Sequence, residues 1–159
     1  MIAEEGALII YPHKDSQVVE GLTLIDASSM GDCFPQMELI LQNLQNLTPE
    51  YLEFKIERFF CIDSFPDPAR LAQYLPSMDA IAIKRKALFD SSLAGGVEAL
   101  IVHEFVHVRE TSESCQELRA EEILAYTEMY AFLEIYFGGA SVSPTEIEKI
   151  VEINYKPDC

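Results

Sequence analysis

Two histidines and a glutamate stand at a spacing that can hold and use a metal ion. The segment His103-Glu104-Phe105-Val106-His107 contains two of the three histidines of the chain. In a helix, residues four apart lie on one face about 5 to 6 Å apart, so both imidazoles can bind one small cation. Glu104 lies beside that pair, where its carboxylate can take a proton from a water on the metal. Chance would produce about 0.007 such HExxH patterns in a chain of this composition, so the signal is specific.

A catalytic metal site of this kind needs a third protein ligand from elsewhere in the chain. The next predicted helix, Cys115 to Phe137, has four candidates, namely Glu117, Glu121, Glu122 and Glu128. Glu122 is the first choice because apolar residues surround it at spacings of three, four and seven. These neighbours are Leu118, Ala125, Tyr126 and Met129. Glu121 is the alternative, although it shares its side of the helix with Glu117 and Glu128, which predicts a solvent-exposed acidic stripe.

The sequence resembles the zincin metallopeptidases of the gluzincin type. The resemblance lies in HEFVH at 103–107 and in Glu122-Ile123-Leu124-Ala125 after it. In these enzymes one helix carries HExxH and a following helix carries a glutamate, in some families written ExxAD. The resemblance covers about residues 79 to 137, as edge strand, active-site helix and glutamate helix. Tyr126 stands where ExxAD has its aspartate, so a carboxylate that would orient the histidines is missing from the pattern.

The resemblance implies that His103, His107 and Glu122 bind one Zn²⁺ per chain and that Glu104 is the general base. The expected activity is hydrolysis of peptide bonds in a peptide or protein substrate. The zinc would lower the pKa of its water towards about 7, and Glu104 would pass the proton to the leaving amine.

Two further parts of such a site have candidates in the sequence. A peptide would lie along a strand edge, and the alternating segment Asp79 to Lys84 is the strand expected there. An oxyanion donor could be Tyr126, Tyr130 or Tyr136, although tyrosines on helices are core residues more often than catalytic ones.

The elements around the motif predict an α+β fold in a single domain, residues 1–159. A small twisted sheet should pack on the HExxH helix and on the glutamate-bearing helix after it. The predicted strands are 7–11, 18–25, 54–62, for which a helix also fits, and 79–84. The predicted helices are 33–47, 67–74, one from Asp90 or Ser91 to 108, 115–137 after a Ser114/Glu117 capping box, and one after Pro144.

Charge and hydropathy limit the classes of partner. The chain of 159 residues has 11 Lys and Arg against 27 Asp and Glu, a net charge of −16. Such a surface repels phosphate backbones and anionic lipids, which argues against nucleic-acid binding, and no apolar run predicts membrane insertion. The acidic start, Met1 to Gly6, lacks a signal peptide, so a cytoplasmic protein is expected, with delivery by another system left open. The oligomeric state stays open.

Two minor features have a functional and a structural interpretation. The four cysteines are scattered without a CxxC pair, and reduced structural thiols are expected rather than disulfides. The run Lys84-Arg85-Lys86 is either a solvated loop, which is favoured, or a positive patch beside the cleft.

Two hypotheses of other classes compete with the peptidase. One is a zincin-like domain that has lost catalysis and works as a binding or regulatory module, against which the intact Glu104 argues. The other is a metal-free helical interaction protein in which the two histidines are incidental. The metal content of the purified protein separates this last hypothesis from the others.

Overall fold

The structure is a computed structural model that describes residues 8, 10–11, 17–19, 21–47, 56–90, 96–110 and 114–154. Over these residues the chain forms five strands and five α-helices, which confirms the coarse α+β class. The strands are β1 Gln17–Val19, β2 Leu22–Asp26, β3 Arg58–Ile62, β4 Ala72–Leu75 and β5 Ala80–Lys84. The helices are α1 Phe34–Leu47, α2 Arg85–Leu88, α3 Gly96–Arg109, α4 Cys115–Phe137 and α5 Pro144–Asn154.

The five strands form one mixed sheet in the order β1-β2-β3-β5-β4. The three inner strands, β2, β3 and β5, run parallel, while β1 and β4 pair antiparallel at the two edges. Helix α1 connects β2 to β3, because parallel neighbours need a long crossover. The predicted α+β class did not include this βαβ unit.

Both faces of the sheet are buried, and the helices that matter for the site lie on one of them. Side chains alternate along β3, so Phe59 and Cys61 share a core cluster with α1, α3 and α4, while Phe60 and Ile62 join a second cluster on the opposite face. Helix α3 is packed between α4 and the edge strand β4. Helix α3 therefore packs on one face of the sheet, with β4 beside it.

The N-terminal strands differ from the prediction. The expected strand 18–25 is split into the hairpin β1–β2, because the chain turns at Gly21, whose φ of +81° is easy for glycine and strained for other residues. The expected strand 7–11 is absent at the described residues Leu8, Ile10 and Tyr11, and the rest of it lies outside the described residues. Residues 54–55 of the predicted strand 54–62, which begins at Arg58 in the structure, also lie outside the described residues. The same holds for most of the turn 12–17.

The expected helix 67–74 is wrong. Asp67 starts only a single turn, in which its side chain accepts a hydrogen bond from the Ala69 amide at 3.0 Å. The chain then enters β4, which pairs with β5 in the register Ala72↔Ile83 to Leu75↔Ala80. Asp-Pro is a turn signal as well as a helix start, and pairing with a neighbouring strand outweighs a short, weak helix.

The later helices follow the sequence pattern closely. Ser114 and Glu117 form the predicted capping box, and Gly138 ends α4 with a left-handed φ of +67°. Helix α5 begins at Pro144 as expected. Helix α3 is described from Gly96, and residues 91–95 of its predicted start lie outside the described residues.

A disulfide joins Cys33 and Cys61, so the expectation of reduced thiols is wrong for this pair. The bond ties the start of α1 to β3 across a sequence separation of 28. Closing a loop of that length stabilises the fold by about 3 to 4 kcal/mol in the chain-entropy model. Sequence spacing could not predict it, because the two sulfurs meet only when α1 packs on the sheet.

In the part of the chain that the structure describes, no helix combines the length and apolar character needed to cross a membrane.

Candidate metal centre

The two histidines of HEFVH lie one turn apart on helix α3 and face helix α4. Their ring centroids are 5.2 Å apart. His103 is buried and His107 is partly buried, because α3 is covered by the sheet on one side and by α4 on another. Helical spacing therefore brings the two imidazoles together, and the packing of α4 determines what they meet.

Glu122 of α4 meets both imidazoles. Its Oε1 lies 2.7 Å from Nε2 of His103, and its Oε2 lies 3.2 Å from Nε2 of His107. Ligand atoms of the three residues all lie within 4.8 Å of one another. Of the glutamates considered from the sequence, Glu122 is thus the one whose carboxylate contacts both histidines.

The donor set fits a catalytic zinc site. Two imidazole nitrogens and one carboxylate are ligands that zinc takes when it keeps a further position open for water. Both Nε2 atoms point at the same carboxylate, so one small cation between them would reach all three residues. Nδ1 of His103 is buried and has no hydrogen-bond partner among the described residues.

Glu104 is buried beside His103 and is held by the edge strand. Its Oε1 accepts a hydrogen bond from the backbone N–H of Tyr74 at 2.8 Å. Its Oε2 lies 3.9 Å from Nε2 of His103. The carboxylate therefore lies between β4 and the histidine pair. Unlike the carboxylate of Glu122, it does not bridge the two imidazoles. The role of the Tyr74 N–H had no signal in the sequence, since any residue but proline supplies it.

The sequence predicted that Glu121 lies on a solvent-exposed acidic stripe, and this prediction is wrong. It is 7% exposed, and its Oε2 lies 3.5 Å from Nδ1 of His107. Glu117 is exposed, and Glu128 forms an ion pair with Arg109. A signal for burial was present, because Leu118 and Ala125 lie three before and four after Glu121 and so share its side of the helix.

Of the three candidate tyrosines, Tyr126 lies next to the histidines. Its ring centroid is 4.5 Å from that of His103, and its ring stacks with that of Tyr130 at a centroid distance of 6.3 Å. Tyr136 is 40% exposed near the end of α4. Burial, together with the negative charge of Glu122, raises the pKa of Tyr126 to about 12. Its hydroxyl therefore stays protonated at neutral pH and can donate a hydrogen bond.

Among the described residues, the edge strand beside α3 is β4, whereas the sequence assigned this position to residues 79–84. That segment forms β5, which lies between β3 and β4 and has no open edge. The prediction was wrong because the helix predicted over 67–74 includes most of β4, which left β5 without a neighbour on that side. The basic run does not form a loop. Lys84 ends β5 and its Nζ donates to the Pro68 carbonyl, Arg85 begins α2 and pairs with Asp32, and Lys86 is exposed.

Opposite charges couple His107 to Glu122. Burial disfavours the imidazolium, but the hydrogen bond with Glu122 and the charges of Glu104, Glu122 and Glu121 outweigh it and raise the pKa of His107 to about 9. Burial likewise opposes ionisation of Glu122, yet hydrogen bonds from both histidines lower its pKa to about 2. Without metal, the site is therefore an ion pair across the two helices at neutral pH.

This ion pair predicts a pH-dependent stability of the metal-free protein. The raised pKa of His107 contributes stability that is complete below pH 6.5 and is lost as the pH rises through 9. The contribution is about 3 kcal/mol at most. In chelator, the melting temperature of wild type should fall between pH 6.5 and 9.5 by more than that of His107→Gln. Parallel curves for the two proteins would contradict the ion pair.

Comparison of the chain with protein-family models, with curated proteins and with solved structures finds no match.

Proposed function

We propose that the protein is a zinc-dependent metallopeptidase of zincin-like architecture. His103, His107 and Glu122 bind one zinc ion, and Glu104 is the general base. The observation that carries the proposal is the convergence of both HExxH imidazoles on one carboxylate of the next helix, beside a buried second carboxylate. When bound, zinc polarises the scissile carbonyl as a Lewis acid and makes water a better nucleophile.

Glu104 is suited to move the proton. It is buried 3.9 Å from Nε2 of His103, so it reaches the region between the ligands without replacing one of them. The Tyr74 N–H holds one carboxylate oxygen and leaves the other directed at the site. Glu104 takes a proton from the attacking water and gives it to the leaving amine.

The edge strand is suited to bind an extended peptide. The Lys84 amide donates to the Leu71 carbonyl, and the Tyr74 amide points away from β5 to Glu104. Hydrogen-bonding groups alternate along a strand, so both backbone groups of Ala72 and the carbonyl of Tyr74 also point outward. A substrate strand added there would run past helix α3 and its histidines, with its register set by main-chain hydrogen bonds.

Tyr126 is the best-placed donor for the developing oxyanion. It lies against His103, and its pKa of about 12 keeps the hydroxyl protonated at neutral pH. A protonated hydroxyl stabilises a negative oxygen by hydrogen bonding.

A metal-free interaction protein is the second candidate. It is favoured by the hydrogen bonds that Glu122 accepts from both histidines, which satisfy these groups without a cation. A zincin-like binding module that holds zinc without hydrolysis is the third. The two differ in metal content, and only the peptidase should cleave peptides.

Elemental analysis of protein purified without a histidine tag tests the proposal. We expect about one zinc per chain in wild type and almost none in His103→Ala/His107→Ala. His13→Ala is the matched control, because it removes the remaining histidine and should keep the zinc. Chelation should stop cleavage of a mixed peptide library, and added zinc should restore it. Equal zinc in the double variant and wild type would contradict the site, and zinc without cleavage would indicate the binding module.

A further inference from the structure

Two consecutive glutamates of α4, Glu121 and Glu122, contact the two ring nitrogens of His107. Glu122 lies 3.2 Å from Nε2 of His107, and Glu121 lies 3.5 Å from Nδ1 of the same ring. Glu121 is 7% exposed, so its carboxylate is withdrawn from water, and His107 is the basic side chain it contacts. A buried carboxylate is costly unless a partner compensates it, and this imidazole is that partner.

We propose that Glu121 is the positioning residue of His107. The inference rests on the zinc site proposed above. A neutral imidazole carries one proton, and a carboxylate beside Nδ1 keeps that proton on Nδ1. The lone pair of Nε2 is then directed at the metal, and the ring is fixed in orientation. The present separation is that of an ion pair, and about 0.5 Å of shortening makes it a hydrogen bond.

This role replaces the aspartate that the sequence pattern lacks. Tyr126 occupies that position and packs its ring against His103 instead of offering a carboxylate. Glu121 supplies a carboxylate from the other side of Glu122 along the chain. The two histidines are therefore held differently, since Nδ1 of His103 is buried without a hydrogen-bond partner among the described residues.

Zinc titration against a chromophoric chelator tests the inference. Methionine has a volume similar to that of glutamate but no hydrogen-bond acceptor oxygen. We therefore expect Glu121→Met to weaken zinc binding about 10- to 100-fold, the usual effect of removing the hydrogen-bond partner of a metal-binding histidine. Glu121→Gln keeps an acceptor oxygen and should recover part of the loss. Glu134→Met is the control, because Glu134 is exposed on the same helix and should bind zinc as wild type does.

A second readout separates positioning from a structural effect. In zinc-loaded protein, the Nδ1–H proton of His107 should give a downfield, slowly exchanging NMR signal, which Glu121→Met should lose and Glu134→Met should keep. Wild-type affinity and an unchanged signal in Glu121→Met and Glu121→Gln would overturn the inference while leaving the zinc site intact. If wild type itself binds no zinc in the same titration, the proposed function fails and the positioning role fails with it.

Discussion

Glu104→Gln should retain about one zinc per chain and lose turnover by a factor of about 100 or more. Glutamine has the shape of glutamate, and its carbonyl oxygen can still accept the Tyr74 N–H that holds Glu104 in place. It cannot accept a proton from water at neutral pH. The variant therefore separates the proton transfer from the position of the side chain. Zinc content by elemental analysis and cleavage of a library-derived peptide are measured on the same preparation.

Glu98→Gln is the matched control for this variant. Glu98 lies on the same helix, is 6% exposed, and accepts a hydrogen bond from Asn43, outside the candidate metal centre. Its substitution should leave both zinc content and turnover near wild type, because no proton transfer is assigned to it. Unchanged turnover in Glu104→Gln would remove Glu104 from the mechanism. Loss of zinc in Glu104→Gln would show that Glu104 helps to bind the metal.

Glu122→Ala should abolish the part of the melting temperature that depends on zinc. A metal that binds only the folded state stabilises it by about 2.7 kcal/mol at a concentration 100 times its dissociation constant, and by about 4.1 kcal/mol at 1,000 times. For a chain of this size, each kcal/mol corresponds to about 2 to 4 °C. Wild type should therefore melt about 5 to 15 °C higher with zinc than with chelator, and Glu122→Ala should show almost no difference.

The same measurement distinguishes the two neighbouring glutamates. Glu121→Ala should keep a reduced zinc-dependent shift, because it removes only the contact at Nδ1 of His107. Glu134→Ala should keep the full shift. If Glu121→Ala loses the shift and Glu122→Ala keeps it, Glu121 is the ligand and the assignment of the two residues is reversed.

Glu122→Ala should also destabilise the metal-free protein. Without its carboxylate, His103 and His107 lose the acceptor that both contact. Glu121 still contacts Nδ1 of His107, but a partly buried imidazolium that keeps only one of its two carboxylate contacts is less well compensated, so the pKa of His107 should fall from about 9. The loss should be visible in chelator at pH 6.5 and smaller at pH 9.5, where His107 is largely neutral.

Local sequence determined helices α3 to α5 and the candidate metal ligands that they carry. Apolar periodicity and the Ser114/Glu117 capping box specify α4 because their interactions span only a few residues. The HExxH spacing brings two imidazoles to one face because helix geometry alone sets their separation. For the same reason Glu122 could be ranked first among the glutamates from its neighbours in sequence.

Tertiary packing decided everything that depends on contacts between distant segments. The edge strand is β4 because residues 72–75 pair with β5, and this pairing outweighs the weak helical signal of the preceding turn. Cys33 meets Cys61 only when α1 packs on the sheet. Glu121 faces His107 rather than water because α3 and α4 lie side by side, and helical periodicity cannot fix a helix's rotation to within one residue. The hydrogen bond from Tyr74 to Glu104 uses a backbone group, which carries no signature in the amino-acid sequence.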